Sequence, residues 1–257
     1  MKRNILFYTS AAVITYLLSV LASALTAQFP ITGTVGIEGE KVSYLFPREI
    51  HSKNGYTLVI RSDADSLTGS IDLLMNNDPT TAQRIEMKNE GNNLIGYLPH
   101  SAAGSKLYYT VTLEKNGLNY QIPPSETIIT QYWSKVPTTL WVLYYFTLLG
   151  GLFFAIRAGL EYFATERVRL ILYTLIASTL FSLHAILVNP VFKTYELNAF
   201  RTTVPSPDKL FAGADFVLPA LWIFVLAIVR KVPNPRITLL GAAIVTVVMF
   251  LVVSFFK

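Results

Sequence analysis

Apolar residues gather along this chain into five long runs: Ile5 to Ala27, Pro137 to Ile156, Leu170 to Val188, Phe211 to Val229 and Ile237 to Phe256. Each approaches the roughly 20 helical residues needed to cross a hydrocarbon layer of about 30 Å, so each predicts a membrane-spanning helix. Between the first two runs the pattern changes. Val42, Tyr44 and Phe46 alternate with Ser43 and Leu45. Tyr56, Leu58 and Ile60 alternate with Thr57, Val59 and Arg61, and Leu107, Tyr109, Val111 and Leu113 with Tyr108, Thr110 and Thr112. A period of two built from aromatic and β-branched residues predicts strands. Asn54-Gly55, Asn76-Asn77-Asp78-Pro79, Asn89-Glu90-Gly91-Asn92 and Asn116-Gly117 supply the turns between them. About seven or eight strands in a stretch of this length predict a two-sheet sandwich. The expected architecture is a membrane α-helical bundle of five transmembrane helices with an all-β sandwich domain inserted between helices 1 and 2. Its parts are an N-terminal anchor (1–27), the sandwich (28–136) and a four-helix transmembrane domain (137–257).

Composition agrees with this division. Of 257 residues 52% are hydrophobic and 14% charged, well below the roughly 25% charged of soluble domains. The chain has no cysteine, which removes disulfides, thiolate metal sites, iron–sulfur clusters and cysteine nucleophiles. The first run has a second reading, because Lys2 and Arg3 followed by an apolar stretch and Ala22-Ser23-Ala24 also suit a signal peptide cleaved after Ala24. At 23 residues the run is longer than the usual apolar core of such peptides, which favours a retained span.

Charge then orients the chain. Lys2, Arg3, Arg157, Arg167, Arg169, Arg230, Lys231 and Arg236 fall at one set of span ends, whereas the opposite short loop carries only Lys193, Arg201 and Lys209. Cationic short segments stay cytoplasmic, so the amino terminus is expected inside, the carboxyl terminus outside and residues 28–136 outside the cytoplasm. That stretch holds nine Lys and Arg against eleven Asp and Glu, so the net charge of +5 belongs to the cytoplasmic segments and does not describe a nucleic-acid footprint.

The segment Asn93-Leu94-Ile95-Gly96-Tyr97-Leu98-Pro99, followed by Ala103-Gly104-Ser105-Lys106-Leu107-Tyr108-Tyr109-Thr110-Val111 and Lys115-Asn116-Gly117, resembles the ending of immunoglobulin-like or fibronectin type III-like domains of bacterial envelope proteins. There, a strand ends at a proline, a small-residue turn follows, and a Tyr-Tyr strand runs into a polar-Gly turn. The whole arrangement is also similar to a group of bacterial membrane proteins that carry such a domain ahead of a helical bundle. In the loop Asn198 to Asp208 this chain lacks the glycines of that group. The resemblance implies an immunoglobulin-like sandwich on the outside of a bacterial inner membrane and no particular activity.

Candidate chemistry is sparse. His51 and His100 stand apart from other ligand types and read as surface residues, since zinc needs three or four converging ligands. Asp63 and Asp65, beside Ser62 and Ser66, read as a solvated turn in preference to a calcium loop. No Gly-x-Ser-x-Gly, phosphate-binding loop or His-Glu-x-x-His occurs, and no catalytic residue, metal or cofactor is assigned. His184 has no second intramembrane histidine to complete a bis-histidine haem, and Met249 reads as a poor substitute. Ionisable residues within spans are functional suspects. Foremost is Asp215, about one turn into the fourth run and four residues before Pro219. With His184, Glu196, Arg201 and Asp208 it forms a candidate polar pocket at the outer surface. Arg157 and Glu161 are spaced for an i, i+4 ion pair. Gly151, Ala155 and Gly159, and then Ser178, Ser182 and Ala185, form small-residue stripes suited to helix packing. Tyr132, Trp133, Trp141, Tyr144 and Tyr145 form an expected interfacial aromatic belt.

The expectation is a non-enzymatic integral inner-membrane protein whose sandwich meets an envelope or membrane protein partner, with the lipid bilayer as its medium. Two alternatives stand beside it: a membrane enzyme or transporter component using the outer pocket, and cell-wall glycan binding by the sandwich.

Overall fold

The computed structural model describes residues 2–52, 54–62, 67–75, 78–164, 169–199 and 205–255. They divide into a β unit, residues 28–135 with 196–198, and a helical unit drawn from 1–27, 136–195 and 199–257. Each has its own hydrophobic core.

The β unit contains β1 (Ile31–Ile37), β2 (Glu40–Phe46), β3 (Glu49–Ile50), β4 (Tyr56–Ser62), β5 (Thr68–Met75), β6 (Asp78–Glu86), β7 (Lys88–Glu90), β8 (Asn93–Leu98), β9 (Lys106–Lys115), β10 (Leu118–Ile122) and β11 (Ile128–Tyr132). One sheet has the order β1-β2-β4-β8-β7; the other has β3-β11-β9-β5-β6, with β10 also on β9. Pairing is antiparallel except between β3 and β11. The alternation in sequence explains the core. Val42 and Phe46, Leu58 and Ile60 from the first sheet meet Ile71, Tyr109, Val111 and Leu113 from the second. Burying each such side chain contributes about 1.5–3 kcal/mol. Asn116 and Gly117, both at positive φ (51° and 79°), close the two-residue turn that pairs Lys115 with Leu118; that backbone twist matches the strands it joins.

One polar contact joins the two sheets and another lies within the second sheet. Lys115 on β9 is buried and places Nζ 2.5 Å from Glu40 Oε2 on β2. On β5 and β6, Asp72 accepts two hydrogen bonds from Arg84, at 2.8 and 3.2 Å. Tyr109 is wholly buried, and burial pushes its phenol above the ordinary tyrosine range. Burial also raises Tyr132, to about 12.

The helical unit comprises α1 (Lys2–Thr26), α2 (Thr138–Leu160), α3 (Leu170–Leu183), α4 (Asn189–Glu196), α5 (Pro207–Leu210), α6 (Val217–Ile228) and α7 (Pro235–Phe255). A π-helical turn, His184–Val188, joins α3 to α4 in one continuous helix. Pro190 explains the turn: it has no N–H, and its ring crowds the carbonyl four residues back, so the preceding turn widens rather than breaks. Among the described residues four helices are long and apolar enough to cross a membrane: Asn4–Thr26, Thr138–Phe163, Leu170–Glu196 and Pro235–Val253. The run expected from Phe211 to Val229 forms a shorter apolar helix, Gly213–Ile228, that opens as a 3-10 turn at Gly213–Phe216.

The small residues of α2 face two different neighbours. A Cβ on Gly151 would lie 2.8 Å from the Phe181 ring of α3, and one on Gly159 would lie 2.5 Å from Ala243 Cβ of α7. Ala155 between them is fully buried. The stripe therefore seats α2 against α3 near its start and against α7 at its end. On the facing helix Ser178 and Ala185 are buried and Ser182 is half-buried. Between α6 and α7, Trp222 Nε1 donates to Thr246 Oγ1 at 2.8 Å while Thr246 donates to Ala242 O at 2.7 Å, so the buried indole N–H is satisfied.

Candidate functional site

A cavity of about 80 Å³ opens at the end of the helical unit where α2 begins and α7 finishes. Tyr144 of α2, His184 of the π turn and Asp215 of the 3-10 turn give it a polar side, and Phe181, Leu218 and Met249 belong to its apolar wall. A site of that size and polarity holds a few waters or one small head group. The widened turn before Pro190 carries His184 at its first position.

Local hydrogen bonds fix the imidazole. Thr147 Oγ1 donates to Leu143 O at 2.9 Å and lies 3.0 Å from His184 Nδ1. Which of the two groups donates in this contact depends on the tautomer of the imidazole. Tyr144 packs edge-on to the imidazole at 4.7 Å. Asp215 is largely buried and accepts from Lys193 Nζ of α4 at 2.8 Å. The cavity thus combines a carboxylate paired with a lysine and an imidazole held beside a threonine hydroxyl. Met249, set aside on sequence, lines the same cavity as His184.

Of the five residues expected to converge, His184 and Asp215 line this cavity. Glu196 groups with the β unit, where its carbonyl accepts from Ser134 N–H at 2.9 Å. Asp208 is exposed in α5, its carboxylate held below the usual range by the Ser206 hydroxyl and its own backbone amide. Arg201 lies outside the described residues, as do Asp63, Asp65 and Ser66. Lys193, the ion partner of Asp215, enters the sequence reading only as one of the three cations of its loop. No spacing rule links positions 22 apart across a loop.

The residues of the expected aromatic belt divide between the β unit and the helical unit. Trp141 stacks on Tyr145 at 5.6 Å, and both Trp141 and Tyr144 contact Phe192 of α4. Trp133 donates Nε1–H to Glu49 at 3.3 Å. Tyr132 is a core residue of β11, 1% exposed, and donates to Pro99 O at 3.0 Å. Its side of the strand faces the sheet interior, so it cannot serve as a surface anchor.

A second polar centre lies at the other end of the helical unit. Arg157 is fully buried, with Nη1 2.6 Å from Glu161 Oε1 but out of hydrogen-bond alignment. Nε and Nη2 have no hydrogen-bond acceptor among the described residues. Aromatic rings surround the guanidinium instead: Phe7 and Tyr8 of α1 at 5.4 and 4.8 Å and Tyr173 of α3 at 4.6 Å. The Tyr8 and Tyr173 hydroxyls meet at 2.9 Å. Ring faces replace the missing acceptors electrostatically, the more so where water is excluded. Sequence spacing showed Glu161 and none of the rings.

Among the described residues no group of three or more His, Asp or Glu side chains is placed to hold a metal ion. Comparison of the chain with protein-family models, with curated proteins and with solved structures finds no match.

Proposed function

We propose that this chain is an integral protein of a bacterial cytoplasmic membrane, with five spans and its amino terminus inside, that holds an immunoglobulin-like β unit outside to meet a protein partner. The observation that carries this reading is the division of the chain: a β unit with a closed core of its own is spliced between two apolar helices of a second unit. The helix Gly213–Ile228 is the fourth span of this arrangement. Strand order supports the immunoglobulin-like assignment. The series β2-β4-β8-β7 corresponds to strands A-B-E-D, and β11-β9-β5-β6 to G-F-C-C′. The cationic segments at one set of span ends support the orientation. On the first sheet, Leu45, Val59 and Tyr97 are exposed on the adjacent strands β2, β4 and β8; these are the apolar side chains a partner would cover.

Two measurements test the proposal. A reporter joined at Gly91, in the turn between β7 and β8, should be active only as a periplasmic enzyme; a cytosolic signal there overturns the orientation. In mild detergent the protein should migrate as a complex, and Val59→Asp should release it while the β unit stays folded. Recovery of the wild type as an isolated monomer overturns the partner reading.

The shared cavity of His184 and Asp215 favours a second reading, a transporter or enzyme component acting at the outer interface, because ionisable groups lining an intramembrane cavity mark ion and substrate paths. His184→Ala and Asp215→Asn should each then abolish complementation of a deletion strain at unchanged protein level. Full complementation by both variants removes this reading.

A further inference from the structure

At the end of the helical unit opposite the His184 cavity, a groove of about 370 Å³ lies where α3 begins, α6 ends and α7 begins. Arg169 and Arg230 face it from different segments, and Ile171, Leu172, Val229 and Val232 form much of its apolar surface. We propose that this groove binds the head group of an anionic phospholipid, the two guanidinium groups pairing with its phosphate while the acyl chains lie against Ile171 and Leu172.

Three observations carry the assignment. Both arginines are exposed, so neither charge is spent inside the protein, and among the described residues no acidic side chain lines the groove. The starts of α3 and α7, with no acidic residue in the first turn, add a positive field that the negative end of α6 offsets in part. Ile171 and Leu172 are 38% and 46% exposed on the helix that continues into the apolar span, so the polar and apolar parts of the groove follow each other as they do in a phospholipid. A guanidinium matches phosphate oxygens in a planar, two-toothed geometry, and basic pockets between transmembrane helices are lipid-binding devices elsewhere. A zwitterionic lipid brings its own cation to the same place and gains less. The inference rests on membrane insertion from the proposed function; the orientation given there decides only which leaflet supplies the lipid.

The test uses the full-length protein, delipidated in detergent and titrated with phosphatidylglycerol or with phosphatidylcholine of the same acyl chains, bound lipid being counted by native mass spectrometry. Phosphatidylglycerol should bind about tenfold more tightly. The preference should disappear in an Arg169→Gln, Arg230→Gln double variant, with phosphatidylcholine binding unchanged, and should shrink in high salt. Equal binding of the two lipids by the wild type, or a double variant that keeps the preference, overturns the inference. A protein that fails to enter bilayers on reconstitution sinks the membrane reading instead, which separates the two failures.

Discussion

Arg157→Ala should be the most damaging single substitution in the helical unit, lowering its stability by about 3–5 kcal/mol. The change removes a fully buried cation from between Phe7, Tyr8 and Tyr173 and leaves Glu161, 4% exposed, with no counter-charge at its present 2.6 Å contact. An uncompensated carboxylate in that position must either ionise without solvent or take up a proton. Replacing both members with leucine should recover most of the loss, because a neutral pair carries no desolvation penalty. Thermal unfolding of the purified full-length protein in detergent separates the two cases. A single variant that melts like the wild type would show that the guanidinium is not held in this cage.

In the β unit, Tyr109→Ala should cost about 3–5 kcal/mol, from lost transfer energy and the cavity left where both sheets meet. Tyr109→Phe keeps the ring and loses only the hydroxyl, which lies 3.5 Å from Thr130 Oγ1, so its cost should stay near 1 kcal/mol. The same phenol predicts an alkaline limit. An unfolded tyrosine ionises near pH 10, whereas burial raises Tyr109 beyond its ordinary range and Tyr132 to about 12. Below pH 10 both states keep their protons and stability is complete. As pH rises past 10 the unfolded chain releases protons that the folded one retains, so stability falls towards the folded values. Far-ultraviolet circular dichroism of the full-length protein during alkaline titration should show strand loss beginning above pH 10, later in Tyr109→Phe. Loss at the same pH in that variant would assign the limit to other groups.

Strands β2, β4 and β9 were legible in the sequence because each lies with one face in the core, so that burial repeats every second residue. β1 was not, since Gly33 and Gly36 interrupt its alternation; Gly33 sits under the Tyr44 ring, where a Cβ has no room. β3 and β7, two and three residues long, are too short to show any period. Apolar length revealed α1, α2 and α7. It placed the end of the third run at Val188, where the apolar residues give way to Asn189, whereas the π turn lets the helix continue to Glu196. Residue type was enough to single out His184 and Asp215, both suspicious inside apolar helices. Their common cavity and the Lys193 partner depend on how helices distant in sequence come together, which no local pattern encodes.

The rings around Arg157 have a consequence for the life history of the polypeptide. Phe7 and Tyr8 both lie in the stretch that a leader peptidase cutting after Ala24 would discard. A chain trimmed there would keep the guanidinium but lose two of its three aromatic neighbours, leaving a buried cation open on one side. The opening helix completes the core around Arg157, and its loss would be felt first there.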